Sequence, residues 1–324
     1  MNGRRRFNRT FCSALLAASL EVWAQPGART RRIGVLSPGA NAAAEFEDIA
    51  GLMRAFGWID GRNLSLVPRS ADANLDQLRP LANELAALKV DLLVTFGTEA
   101  AQAAKAATTT IPIVMASAGD PVSAGLVASL ARPGGNVTGY SYMIPEIARK
   151  LAALLHEMLP TARRVCVLVN PIARASESGR KARETAYQSL GLQPLLIEVA
   201  TESQFLDALA EASRQRAEAL DFALLSIPLP DTLMQAVRRS RLPAMASDSD
   251  DVEAGALMSF RPDWAEGYKR VAATIDKILR GAKPADVPVE QPTRFELVVS
   301  LKVAKELGIT VPKAILARAD QVIQ

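Results

Sequence analysis

Short apolar runs alternate along the chain with longer stretches whose apolar residues recur at three- and four-residue steps. The first spacing suits buried strands, and the second suits helices with one buried face. In the first half the pattern predicts strands over 33–36, 64–68, 92–95 and 113–116, separated by helices over 43–56, 75–88 and 99–107. Leu78, Leu81, Ala82, Leu85 and Leu88 mark the apolar face of the second helix. The rhythm then restarts, with strands over 165–169, 194–199, 222–225 and 244–246 and helices over 176–190, 202–212 and 232–239.

Two βα series in one chain predict two α/β lobes, each a doubly wound parallel sheet with helices on both faces. The turn-rich segment Arg132-Pro133-Gly134-Gly135-Asn136-Val137-Thr138-Gly139 suits a first crossing between the lobes. A second crossing is expected near Met258–Pro262, ahead of a long helix over 263–279, and a third after Pro284–Pro292. Three crossings make both lobes discontinuous. The expected division is 31–138 with 262–290 for one lobe, and 140–260 with 293–324 for the other. The final stretch is expected to return to the second lobe as a strand over 295–300 and a helix through Leu307.

Composition agrees with a folded α/β protein: 324 residues, 49% hydrophobic, 5% aromatic. No run of eighteen apolar residues occurs, so an integral membrane span is not expected. The net charge of +4 is concentrated at the N-terminus. Residues 1–24 hold Arg4, Arg5, Arg6 and Arg9 against Glu21, and removing them from 38 basic and 34 acidic residues leaves 34 against 33. A near-neutral remainder gives no electrostatic case for nucleic acid. The same segment, with its basic start, apolar run Phe11–Leu20 and small residues before Gln25, reads as an export signal over 1–24. Arg4-Arg5-Arg6-Phe7 also fits a twin-arginine pattern. Beyond that signal Cys166 is the lone cysteine, in an apolar run that reads as a buried strand.

In sheets of this kind ligands bind where strand ends open into a crevice. Candidate residues therefore lie at the strand-to-helix junctions: Ser37 after the first strand, Thr98, Glu99 and Ala100 after the third, and Asp120 after the fourth. Asn170 and Ser226 hold corresponding places in the second series. Thr98 is a candidate helix cap, and the N–H groups beside it could receive a carboxylate. Each junction also fits ordinary turn and cap chemistry. Asp248, in Ser247-Asp248-Ser249-Asp250-Asp251, could receive a ligand ammonium or could cap a following helical turn. Calcium is disfavoured there, since the glycine and distal glutamate of an EF-hand loop are missing. Tyr140 and Tyr142 near the first crossing, and Phe260 and Trp264 near the second, are the aromatic candidates.

His156, the single histidine, is expected at a helix end. With no G-x-S-x-G elbow, no phosphate loop and too few ligands for zinc, neither a catalytic group nor a metal or cofactor is expected.

Several blocks resemble one family. Ala106–Val114 leads into Gly119-Asp120-Pro121-Val122 and then Gly125–Gly139. Gly255-Ala256-Leu257-Met258-Ser259 and the last thirty residues, Phe295–Gln324, follow. These blocks are similar to the ABC importer substrate-binding proteins related to tryptophan and aromatic amino-acid receptors, over roughly Arg31 to the end. The resemblance implies a type 1 periplasmic binding protein: two lobes, three hinge strands and a ligand enclosed as the lobes close. It also implies a periplasmic, monomeric receptor serving a permease in the inner membrane. The helix start at Thr98-Glu99-Ala100-Ala101 would hold the ligand carboxylate, Asp120 and Asn170 would line the cleft, and Asp248 would act from the second lobe. The segment Ser259-Phe260-Arg261-Pro262 departs from the family's usual tyrosine and glycine, and Ser226-Ile227-Pro228-Leu229-Pro230 is unusually rich in proline. Two other readings share parts of this pattern. The effector half of a LacI-type regulator has the same two lobes, but the space before the first strand holds no helix-turn-helix. A carboxylate-dependent α/β hydrolase would turn its ligand over.

Overall fold

The structure is a computed structural model that describes residues 29–39, 42–170, 175–223, 225, 229–246 and 248–324. The expected export signal over 1–24 lies outside the described residues, as does Ser226.

The first sheet is built from β1 (Arg31–Ser37), β2 (Leu64–Ser70), β3 (Leu92–Phe96), β4 (Ile113–Ala118) and β5 (Val137–Ser141), in the order β2-β1-β3-β4-β5 with every pairing parallel. The helices α1 (Ala42–Met53), α2 (Leu78–Ala87) and α3 (Gly97–Ala107) connect these strands. The chain then enters α4 (Ile144–Met158) and the second series. That series runs β6 (Arg164–Val169), α5 (Ala175–Gln188), β7 (Gln193–Glu198), α6 (Glu202–Arg214), β8 (Ala219–Asp221), α7 (Asp231–Ser240), β9 (Ala244–Ala246), α8 (Ser249–Ala254) and β10 (Met258–Pro262). The long α9 (Trp264–Leu279) follows, and the chain ends as β11 (Phe295–Ser300), α10 (Leu301–Leu307), α11 (Lys313–Leu316) and β12 (Gln321–Ile323). The second sheet has the order β12-β11-β10-β9-β8-β6-β7.

The double α/β architecture follows the hydrophobic pattern, and the C-terminal strand and helix fall where that pattern places them. The structure departs from it in four places. Val137–Ser141 forms a full strand, and the turn signals of the crossing segment lie before it, at Gly134-Gly135-Asn136. Met258–Pro262 is also a strand, half of it paired with β9 and all of it with β11. The strand expected over 222–225 lies over Ala219–Asp221 instead. An acid is a poor interior strand residue, and Asp221 is accommodated because its charge is matched inside the fold by Arg183. Finally, β11 runs antiparallel to β10. It reaches the sheet after an excursion through the first lobe, so it lacks the crossover helix that makes neighbouring strands parallel.

That excursion shapes the molecule. Val271, Ala272, Ile275, Ile278 and Leu279 of α9, with Val287 beyond it, are buried in one core with Ile33, Phe46, Ile49, Leu92 and Val114. Full burial of each aliphatic side chain contributes about 1.5–3 kcal/mol, so α9 is held firmly against the first sheet. The return strand is joined to β5 through backbone bonds: Glu290 N–H donates to Gly139 O at 2.7 Å, and Ser141 N–H donates to Glu290 O at 2.9 Å. Thr138 adds its hydroxyl, donated to Val287 O at 2.7 Å.

Gly139 makes this junction possible. It sits at φ 133°, and a Cβ there would lie 2.2 Å from the carbonyl oxygen of Met115 in the neighbouring strand. The β4–β5 register shifts at this place, bringing two backbones closer than any side chain permits. Gly139→Ala is expected to lower thermal stability more than Gly135→Ala, whose added Cβ meets nothing within 4 Å. A melting comparison of the two variants checks this, and equal melting temperatures would show that the junction tolerates a side chain.

Candidate functional site

The carboxyl ends of β1, β3 and β4 converge. Gly97 N–H donates to Ser117 Oγ at 3.0 Å, and Gly119 N–H donates to Thr98 Oγ at 3.1 Å, so the starts of the two loops after β3 and β4 are tied together. Pro38, after β1, reaches within 3.7 Å of the space beside Gly97. This brings Ser37, Thr98 and Asp120 to one end of the first sheet. Thr98 does not cap α3. Phe96 holds the cap position without a side-chain bond, and Thr98 lies within the first turn with its hydroxyl turned to Gly119. The threonine is consumed because the loop after β4 needs an acceptor for its own N–H. What α3 can offer a ligand is its first-turn backbone, whose N–H groups have no acceptor within the helix. The Ala100 side chain is fully buried in the core, so only its backbone is available.

Asp120 is half-buried and accepts the Ser123 N–H through Oδ1 at 3.1 Å, shaping the turn that follows β4. Ser37 is buried at the end of β1, where its hydroxyl is shared with the Glu45 carboxylate at 2.8–2.9 Å and accepts Gly39 N–H at 2.9 Å. Glu45 went unnoticed in the sequence. Its only signal was an acid in the first turn of a helix, which is common for dipole reasons alone.

On the other side, Asn170 follows β6 and is half-buried. Asp248 is the N-cap of α8, in a capping box with Asp251, so the second of its two sequence readings is realised. Its Oδ1 also pairs with Arg261 Nη1. Arg261 binds Glu296 as well, through Nε at 3.0 Å, tying α8 to the β10–β11 pair. The residue that pairs with Asp248 thus lies in the Ser259-Phe260-Arg261-Pro262 segment. Deeper in this lobe Arg183 on α5 pairs with Asp221, Tyr187 OH donates to Asp221 Oδ2 at 2.6 Å, and Ala223 N–H donates to Oδ1 at 3.0 Å. This buried network fixes α5 to the ends of β6 and β8. Removing one partner of such a pair costs about 3–5 kcal/mol.

The aromatic candidates divide. Tyr140 is buried in the first core, with its ring against Gly267 of α9. Tyr142 meets Tyr140 edge-on at 5.8 Å and Trp264 at 4.4 Å, and Trp264 is 38% exposed. Phe260 stacks on Phe295 at 5.3 Å, with Lys150 above both rings. Ile144, at the head of α4, fills the space left by Gly119 and also reaches Gly179 of α5. Ile144 thus touches both the end of the first sheet and a helix of the second, where α3 and α5 approach each other.

His156 lies in the last turn of α4, as expected. Cys166 is buried in β6, and burial pushes its thiol up to about 12, which leaves it an unreactive core residue. Among the described residues, no helix is long and apolar enough to cross a membrane.

Two α/β sheets joined by three crossings, with strand ends gathered around the space between them, define a two-lobed binding protein. Residues 43–323 match the ABC transporter substrate binding protein family, and the chain belongs to that family. It is 26% identical over 261 residues to a protein of Clostridioides difficile called a tyrosine-binding protein, covering 78% of this chain and 73% of that one. A Streptococcus pneumonia ABC domain solved in complex with L-Trp is 26% identical, with a TM-score of 0.77 over 91% of this chain and 100% of that one. A conserved domain protein of Vibrio cholerae has the same TM-score and coverage at 25% identity.

The crossings carry a polar clasp. Arg270 on α9 donates to Glu266 at 2.7 Å and to Glu290 at 2.9 Å, and Thr293 OH donates to Glu266 at 2.7 Å. The Arg270 and Thr293 bonds hold the Glu266 carboxyl down at about 2, against an ordinary 4.5. A depressed carboxyl stabilises the fold above its unfolded value, and that contribution disappears as the pH falls from about 4.5 towards 2. Glu266→Gln is expected to lower stability near neutrality, to converge with the wild type as the pH falls towards 2, and so to flatten the acid limb in this window. Acid titrations followed by circular dichroism test this, and superimposable acid limbs would remove Glu266 as a contributor.

Proposed function

We propose that this chain is an exported solute receptor of an ABC importer, working in the periplasm as a monomer and handing a small molecule, an amino acid, to an inner-membrane permease. Residues 1–24 serve as its export signal, whose Arg4-Arg5-Arg6-Phe7 also fits the twin-arginine pattern. The hinge lies at the three crossings, so that 31–138 with 262–290 move as one lobe against 140–260 with 293–324. Ligand contacts from both lobes favour the closed arrangement, which the permease reads. No step of this cycle makes or breaks a covalent bond in the ligand.

The observation that carries the reading is the gathering of the β1, β3 and β4 ends around the start of α3, in a chain of this family. A helix start favours an anion through its aligned N–H groups and dipole. The ligand carboxylate is assigned to the first turn, at Thr98, Glu99 and Ala100. Thr98 holds Gly119 beside it, and Asp120 lines the same wall. Asn170 and Ser226 act from the second lobe, where Asp248 and Arg261 together form the facing wall. The ligands named for the relatives, tyrosine and L-tryptophan, support an amino acid with an apolar or aromatic side chain. The exposed face of Trp264 beside Tyr142 suits such a group.

Thermal-shift screening of the mature protein against the amino acids tests this reading. Binding at a hundred times Kd stabilises the folded state by about 2.7 kcal/mol, a rise that melting curves register easily. Stabilisation by an amino acid is expected, and a flat response to the whole set would sink the amino-acid assignment. Thr98→Val, which removes the acceptor for Gly119 N–H, is expected to weaken binding by about 1–3 kcal/mol, measured calorimetrically. Unchanged affinity would take Thr98 out of the site.

A further inference from the structure

We propose that Glu45 is the ligand's cation acceptor, held in a cradle formed by Ser37 and Gly39 beside the start of α3. The proposal rests on the amino-acid reading above and adds to it the group that receives the ammonium.

The cradle is built by the fold. The Glu45 carboxylate is half-buried, and the Ser37 hydroxyl lies 2.9 Å from Oε1 and 2.8 Å from Oε2. A Cβ at position 39 would sit 2.7 Å from Oε1, so a side chain there would push the carboxylate out of its present place. The loop beneath is pinned from the next connection. Ala71, Asp72 and Ala73 donate their N–H groups to the carbonyls of Ser37, Gly39 and Pro38 at 2.9, 3.2 and 2.9 Å. Making those bonds puts two consecutive non-glycine residues into the left-handed region, Asp72 at φ 49° and Ala73 at φ 61°. Strain of that kind persists where the surroundings over-determine it, and ligand sites are among the places it gathers.

The cradle is also incomplete. One hydroxyl supplies one hydrogen to a group that accepts up to about four bonds. Among the described residues, no lysine, arginine or histidine lies within ion-pair distance of Glu45. Asp248, Glu266, Glu290 and Glu296 each have an arginine. Asp48 and Glu45 both disfavour ionisation of the Tyr268 hydroxyl, so the tyrosine beside them stays neutral and supplies no charge. Burial pushes the Glu45 carboxyl above its ordinary value, opposed in part by Ser37. A half-buried carboxylate that lacks a cation is unfavourable in the empty protein and is relieved by an incoming ammonium with three donors. Pro38 separates this carboxylate from Gly97 at the start of α3, so an acceptor for a cation and a favourable place for an anion lie on neighbouring strand ends. Asp248, already matched by Arg261, has no comparable need.

The experiment is a ligand-by-mutant cycle read by calorimetry. Wild type, Glu45→Gln, Ser37→Ala and Asp248→Ala are titrated with L-tyrosine, L-tryptophan and the tyrosine analogue lacking its amine, 3-(4-hydroxyphenyl)propionate. The wild type is expected to prefer the amino acid to its deaminated analogue by tenfold or more. Glu45→Gln should lose most of that preference by weakening amino-acid binding while leaving the analogue nearly unchanged. Ser37→Ala should lose part of it, and Asp248→Ala, in the facing wall, should weaken both ligands alike and keep their ratio. An intact preference in Glu45→Gln overturns the proposal, and its loss in Asp248→Ala alone moves the acceptor to the second lobe. A wild type that binds no amino acid refutes the underlying reading. A thermal-shift set of carboxylate-free primary amines then decides Glu45 separately. Stabilisation of wild type but not of Glu45→Gln supports it, and stabilisation of neither or of both overturns it.

Discussion

The molecule depends on a backbone junction at which residue 290 closes onto residues 139 and 141. Those two hydrogen bonds, with Thr138 reaching Val287, fasten the third crossing alongside the strand that leads into the first. They form only because Gly139 carries no side chain where Met115 approaches. Once this junction is set, α9 must lie on the first sheet and β11 must return to the second. The lobes are thereby connected through a narrow bundle of three segments. A narrow connection lets two rigid sheets move as units, which a ligand-closing receptor requires.

Around that junction the fold separates rigid from adjustable parts. The cores are aliphatic and fully buried, and α5 is locked onto the second sheet by Arg183, Asp221 and Tyr187. The clasp at the crossings is instead polar and partly exposed, built from Arg270, Glu266, Glu290 and Thr293. Exposed ion pairs of this kind are individually weak, so they can steer a hinge without freezing it. Between these regions the strand ends keep their polar groups tied to one another, as in Gly119 with Thr98 and Gly97 with Ser117. These ties hold the strand ends of the first sheet in a preorganised arrangement.

The placement of charge divides the same way. Asp248, Glu266, Glu290 and Glu296 each already have an arginine. Glu45 stands apart, half-buried and, among the described residues, supplied with a hydroxyl but no cation. That imbalance singles it out more clearly than its position does.

The sequence by itself determined the two βα series, because alternation of short apolar runs with helical periodicity depends only on which residues must be buried. It also marked the C-terminal strand and helix, and it placed Ser37, Thr98 and Asp120 at strand ends. Tertiary structure decided the rest, for reasons of long-range partnership. Asp221 could join a strand because Arg183, thirty-eight residues away, neutralises it. Thr98 gave up capping because Gly119, twenty-one residues away, needed an acceptor. Asp248 became a helix cap with an ion pair because Arg261, thirteen residues away, reaches it. Glu45 became distinctive only when packing buried it without a cation. Periodicity records what each residue prefers locally, whereas the partner of a polar group is fixed by where the folded chain brings another.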